Sequence, residues 1–212
     1  MVSNTNQSVE RAALILKTLS EHGSLGFGLL EMTAKWLEQI EVRRVALPTL
    51  RRLRHDSGET IALNIRDRDC RITVERIDTA FEVRFMINLG HPLPMYLGAA
   101  STSILAFLPE DEIEGIVERA PLSLQAKKRI RRNLANIREQ GLADSSGERV
   151  PGTRAISAPI FNFDGAVVAS VCVLTLQSRM DKKKVSKVYG LVKEAAKEIT
   201  NAMGCEAYPA DQ

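Results

Sequence analysis

The apolar positions of this chain change period near residue 58. Val9, Ala12, Ala13, Leu16 and Leu19 recur at helical spacing, which predicts a helix from Ser8 to His22 with Ser8 as N-cap and Gly23 as stop. Leu29, Leu30, Met32, Ala34, Trp36, Leu37 and Ile40 form a broad apolar face on a second helix, Leu29 to Ala46. Pro48 lacks the N–H that a helix interior needs, so it is expected to end that helix and open another, Pro48 to Asp56. From Glu59 the period becomes two. Strands are predicted over Thr60 to Ile65 and Cys70 to Ile77, around a turn at Asp67-Arg68-Asp69, with a third over Phe81 to Leu89. The segment GHPLP, Gly90 to Pro94, breaks that pattern.

Helices follow. Small residues open one at Gly98 that runs to Leu108, and Pro109 takes the first position of an acid-rich one. Ser123 caps a third, which continues through Glu139 and is closed by Gly141. The centre of the chain's organisation is Gly147 to Leu176, two apolar runs joined by Asp164-Gly165, a dipeptide suited to a two-residue β-hairpin. Ile156, Ala158 and Ile160 alternate with Ser157, Pro159 and Phe161, and Val167 to Leu174 is nearly apolar throughout. A strand apolar on both faces must be covered on both, which places this hairpin at the centre of a packed sheet. Asp181 caps a last helix to Ala202, with Val185, Val188, Val192, Ala196 and Ile199 inward. Helices first, then strands and helices mixed, predict an α+β fold.

Composition narrows the function. The 29 basic residues against 26 acidic ones leave a net charge of +3, too little for a global attraction to nucleic acid. Arg43, Arg44, Arg51, Arg52 and Arg54 make a local basic stretch that reads as a solvated face before it reads as a phosphate contact. Cys70, Cys172 and Cys205 are scattered, as in a reduced cytoplasmic protein. No apolar run reaches membrane-spanning length, so no membrane segment is expected.

No enzymatic constellation emerges. His22, His55 and His91 lack second ligands at metal spacing, and neither Ser101 nor Ser157 sits in a GxSxG elbow. Cys172, inside an apolar strand, is expected to be inert. Neither metal nor cofactor is implied, and a binding domain remains. The start of the Gly98 helix has free N–H groups and no bulky side chains, which suits an anion cradle or, equally, close packing of helix on sheet.

Four stretches resemble the isocitrate lyase regulator (IclR) family of bacterial transcription factors. They are QSVERAALILKTLSEHG, LRRLRHDSGETIALNIRDRDCRITVERID, VRFMINLGHPLPMYLGAASTSILAFLPEDE and GERVPGTRAISAPIFNFDGAVVASVCV. The resemblance implies a winged helix-turn-helix domain, a linker helix and an effector domain with a curved antiparallel sheet flanked by helices. It assigns residues 1–26 to a remnant of the helix-turn-helix domain, 27–57 to linker helices, 58–204 to the effector domain and 205–212 to a tail. Carried over by position, the effector pocket is lined by Phe85, Met86, Ala99, Ala100, Ser145, Glu148, Ala155, Cys172 and Leu174. Ala155 stands where members often carry Cys, and Cys172 and Leu174 stand where serines are common. The apolar substitutions imply a less polar ligand, an aromatic or longer-chain acid over a two- or three-carbon one.

One departure is larger. The linker pattern LGFGLLEMTA starts at Leu25, directly after the first helix, about 40 to 45 residues short of a plan with a recognition helix and wing. The implied function is a regulator, a homodimer or homotetramer in the cytoplasm, that senses a small carboxylic or aromatic acid and reads DNA only where a recognition helix is present. The alternative is a stand-alone ligand-binding or dominant-negative oligomerisation module that pairs through the Leu29 to Ala46 helix.

Overall fold

The computed structural model describes residues 41–84 and 86–211. The helix expected at Ser8 to His22, most of the Leu29 to Ala46 helix and Phe85 lie outside the described residues. A compact unit begins at Val42. Its first element, α1 (Glu41–Ser57), runs straight through Pro48. The predicted break is absent because Pro48 sits on the exposed face, where its missing N–H frees a carbonyl, that of Arg44, on the solvent side. The buried side of α1 carries Val42, Ala46, Leu50 and Leu53. Three arginines of the basic stretch bind the domain's own acceptors. Arg43 pairs with Glu75 at 2.8 Å, Arg52 with Glu198, and Arg54 donates to the Asp78 carbonyl at 3.1 Å.

The sheet is antiparallel, six-stranded and curled, in the order β3-β2-β1-β6-β5-β4. Its strands are β1 (Thr60–Asp67), β2 (Cys70–Ile77), β3 (Pro92–Pro94), β4 (Ala143–Ser146), β5 (Thr153–Phe161) and β6 (Val167–Leu176). Between β3 and β4 lie α2 (Ala99–Leu105), α3 (Glu110–Arg119) and α4 (Leu124–Gln140); α5 (Lys182–Ala202) follows β6. The caps form as their residue types dictate. Ser123 Oγ accepts from Ala126 N at 3.2 Å, Asp181 Oδ1 from Lys184 N at 2.7 Å, and Gly141 closes α4 with φ 62°. Pro109 is the N-cap of α3, one position before the expected one.

The predicted strand over Phe81 to Leu89 does not form. Backbone groups of this segment bond to side chains instead, with Phe81 N donating to Thr79 Oγ1 at 3.3 Å and the Val83 carbonyl accepting from Arg179 Nη1 at 2.9 Å. Its place on the edge of β2 is taken by Pro92–Pro94, inside the segment read as a break. Prolines are tolerated there because an edge strand needs no outward N–H. The hairpin is also wider than the two residues expected. Asn162 N donates to the Ala166 carbonyl at 3.0 Å, and Asn162 Oδ1 accepts from Asp164 N and Ala166 N at 3.1 and 3.0 Å. Gly165 still supplies the positive φ, 76°.

The hairpin is covered on both faces. Along β5 and β6, Ser157 and Cys172 are paired in register and face α2, while Ile156 and Val173 are paired on the opposite face, toward α5. All four are completely buried. At the hairpin end, Phe161 stands edge-on to Phe107 and Tyr208, with ring centroids 5.3 and 5.4 Å away. The Tyr208 hydroxyl donates to the Pro159 carbonyl at 2.7 Å, so the last residues pack against the sheet.

Candidate functional site

A cavity lies between the first turn of α2 and the sheet face made by β2, β1, β6 and β5. Its floor begins with a register. Thr60, Ala62 and Asn64 on β1 oppose Leu174, Cys172 and Ser170 on β6, so small and polar side chains line one face while Ile61 and Leu63 take the other. Ala155 on β5 sits opposite Leu174 and joins that face. On β4, Ser145 is paired with Ala155 and points the same way. The loop after β4 adds Gly147, Glu148 and Arg149, and Ile87 closes one side.

The sequence expectation named nine residues here. The structure brings seven together around the cavity: Ala99, Ala100, Ser145, Glu148, Ala155, Cys172 and Leu174. Met86 does not join them; it is 56% exposed and is absent from the lining, while the adjacent Ile87 is buried and lines the wall. Phe85 lies outside the described residues.

The start of α2 is held by this same loop. Gly98 adopts φ 82° and ψ 156°, a conformation open to glycine, and thereby turns the chain into the helix. Its N–H donates to Glu148 Oε2 at 3.1 Å, and Ala99 N–H donates to Ser145 Oγ at 3.1 Å. The Gly98 and Ala99 amides are therefore occupied by protein oxygens, and Ala100 N–H is left as the first-turn amide without an acceptor among the described residues. The helix start is thus not the several-donor anion cradle that its composition allowed. The small residues serve close packing instead. Ser103 Oγ and Ser157 Oγ lie 2.9 Å apart, and Ser170 Oγ donates to the Ala100 carbonyl at 2.9 Å. Every residue of α2 is buried.

Sequence reasoning missed the cationic part of the site. Arg71, on β2, is 4% exposed and lines the cavity. Its Nη1 donates to Asn64 Oδ1 at 2.6 Å and to Thr73 Oγ1 at 2.8 Å, and its Nε to Ser101 Oγ at 3.2 Å. Burial pushes its guanidinium down to about 10, with the like charge of Arg149 acting in the same direction, and it remains a cation at neutral pH. Burial likewise lowers Arg149. The Cys172 thiol is pushed up to about 12 by burial and stays neutral. Arg154, at the rim, is paired with Asp144, Nε to Oδ1 at 3.0 Å. One local signal was available for the floor: Thr60, Ala62 and Asn64 form a small, polar stripe along a strand whose other residues are Ile61, Leu63 and Ile65.

The enclosed space is small, about 40 Å³. A cavity known to take benzene measures about 150 Å³. Among the described residues, no group of His, Cys, Asp and Glu is placed to hold a metal ion, and no helix is long and apolar enough to cross a membrane.

Comparison with known proteins agrees with this architecture. Residues 34–201 match the family model described as the bacterial transcriptional regulator IclR C-terminal domain. The chain is 28% identical to the HTH-type transcriptional regulator KipR of Bacillus subtilis, over 93% of this chain and 81% of that protein. It is 27% identical to the HTH-type transcriptional regulator KdgR of Escherichia coli, over 98% of this chain and 84% of that protein. Among solved structures, Thermotoga maritima IclR superposes with a TM-score of 0.78 at 25% identity, covering 84% of this chain and 75% of that one. The C-terminal domain of E. coli KdgR gives 0.67 at 26% identity, covering 78% of this chain and 99% of that one.

Proposed function

The chain belongs to the IclR family of bacterial transcriptional regulators, and from that premise we propose that the cavity under α2 is the site of its effector, a small carboxylate. The observation that carries this reading is the charge balance of the cavity. Three guanidiniums line it, of which Arg154 is held by Asp144 while Arg71 and Arg149 have no carboxylate partner among the described residues. Its one carboxylate, Glu148, is already bonded to the Gly98 amide. Apolar wall from Ala62, Ala155 and Leu174 supplies contact area, and Ser145 and Asn64 supply orientation. The volume favours an acid of a few heavy atoms over an aromatic one, against the expectation drawn from the apolar lining. Ala99, Ala100, Ser145, Glu148, Ala155, Cys172 and Leu174 are the contact positions this reading assigns.

Signalling follows from the way the site is built. Glu148 and Ser145 tie the loop after β4 to the first turn of α2, so a ligand that displaces or tightens these bonds favours one arrangement of loop and helix over another. In a cytoplasmic homodimer or homotetramer that bias reaches the subunit contacts, and through them DNA where a recognition helix is present.

A thermal-shift screen against small carboxylic acids tests the reading. An acid at a hundred times its dissociation constant adds about 2.7 kcal/mol of stability. Ala100→Leu fills the cavity at a folding cost of about 1–3 kcal/mol and removes the shift. A shift that survives Ala100→Leu means that the acid binds elsewhere.

A further inference from the structure

We infer that Arg71 on β2 is the residue that recognises the effector's charge, and that it selects an oxyanion over the neutral analogue of the same shape. This deepens the reading of the cavity as the effector site and rests on it.

Buried arginines are normally paired with carboxylates. Arg71 is an exception in a fold that otherwise follows the rule. Glu59, fully buried, is met by Lys184 and Arg179, and Arg154 is met by Asp144. The hydrogen bonds of Arg71 among the described residues go to Ser101, Asn64 and Thr73, all neutral. They use Nε and Nη1. Nη2 has no bond to a described residue, and it is not among the buried nitrogens left without a partner, so it opens onto the cavity. A guanidinium has five N–H donors, and the two on Nη2 therefore face the space a ligand would fill.

No carboxylate among the described residues bonds to Arg71, and the cavity's one carboxylate, Glu148, is engaged by the Gly98 amide. Arg149 lines the same cavity from the opposite loop and has no carboxylate partner among the described residues. Its like charge disfavours the charged form of Arg71, and no carboxylate bonds to either guanidinium to offset that repulsion. Cys172, adjacent on β6, stays a neutral thiol. An anion seated against Nη2 relieves both the desolvation of Arg71 and the repulsion from Arg149.

The position is also prepared. Asn64, Thr73 and Ser101 come from β1, β2 and α2, and together they fix the plane of the guanidinium before any ligand arrives. Little side-chain freedom remains to be lost on binding. A planar carboxylate matches that rigid fork, whereas an amide of equal size presents its NH₂ to a cation.

The competing role is structural: Arg71 holds the β1–β2 hairpin to α2. The two roles differ in what its removal does. Calorimetric titration of the purified chain with acetate, lactate and malonate, each against its amide at constant ionic strength, separates them. At least one acid is expected to bind about a hundredfold or more tighter than its amide. Arg71→Met is expected to weaken that acid at least about thirtyfold and to bring the acid-to-amide ratio within about threefold, with the ligand-free Tm unchanged or raised. Acid affinity within about threefold of the parent in Arg71→Met, lost in Ala100→Leu, overturns the role of Arg71 and leaves the cavity reading standing. Acid binding that survives Ala100→Leu overturns the cavity reading itself, and an absence of binding by every acid overturns both. If Arg71→Met does not fold, Arg71→Gln decides on the same ratio: collapse supports the assignment and retention overturns it.

Discussion

Glu59 and Lys184, 125 positions apart, meet at 2.7 Å, and the carboxylate they share is fully buried at the entrance to β1. Arg179 reaches the other oxygen at 3.1 Å while its guanidinium lies over the Phe81 ring, 4.6 Å from the centroid. One carboxylate thus ties the start of the sheet to the start of α5 and to the segment that follows β2.

Removing it leaves two cations without their partner. Glu59→Leu is expected to cost about 3 kcal/mol, at the low end for a broken buried pair, because Lys184 and Arg179 are part-exposed and can turn to water. Urea denaturation reads this as a lower midpoint with an unchanged slope. A loss under about 1 kcal/mol would show that the pair is already solvated.

Two glycines in left-handed backbone separate strain from contact. Gly58 has φ +72° and open space where an added methyl would sit, whereas a methyl at Gly141 (φ +62°) would stand 2.9 Å from the Ala210 carbonyl oxygen. Gly58→Ala is expected to cost about 1 kcal/mol for conformation alone. Gly141→Ala adds a contact that the C-terminal turn must relieve, so its cost should exceed that of Gly58→Ala by at least about 1 kcal/mol. Paired thermal melts of the two variants measure the difference.

The buried thiol of Cys172 sets a pH dependence on the alkaline side. Its folded value, about 12, lies above the ordinary thiol value of about 8.5, so the unfolded chain releases this proton first. Its contribution to stability is complete below about pH 8.5 and is lost as pH rises toward the folded value, by about 1.4 kcal/mol per pH unit at most. Cys172→Ala is expected to flatten the fall between about pH 8.5 and 9.5, before the tyrosines titrate. In the native protein at neutral pH, Cys172 should resist thiol reagents on the timescale of local opening.

DNA binding gives a prediction at the level of the whole chain. The linker pattern begins at Leu25, so no sequence-specific mobility shift is expected from the chain alone at near-physiological salt. Any weak binding should fall steeply as salt rises, as phosphate contacts do. Tight, sequence-dependent binding would overturn this.

Much of the architecture was legible because its causes are local. Ser123, Gly141 and Asp181 announce helix ends through bonds that span a few residues, and these form as expected. The two-sided apolar character of Ile156 to Phe161 and of Val167 to Leu174 required cover on both faces, and α2 and α5 supply it. Ser145 and Cys172 were reachable as cavity positions through the family resemblance alone, whereas Ala99 and Ala100 also stood out as a small-residue helix start.

What stayed hidden depends on partners distant in the chain. Asn162 is the local exception: its side chain accepts from amides two and four residues on and widens the hairpin, so that signal lay in the sequence beside the Asp164-Gly165 turn. Pro92 to Pro94 makes a strand only because β2 offers an edge to it. Arg71 is the sharpest case. A register shift at Leu63/Asn64 changes the parity of the inward face along β2, from Arg71 and Thr73 on one side of it to Arg76 on the other. Period-two reading cannot follow such a shift, so the one buried arginine of the cavity looks, in the sequence, like any solvent-facing charge on a strand. Periodicity and capping are satisfied within a turn or two of chain, and residue types suffice to reveal them. Which face a strand presents, and which charges go unpaired there, is settled by ladders and packing between segments a hundred residues apart.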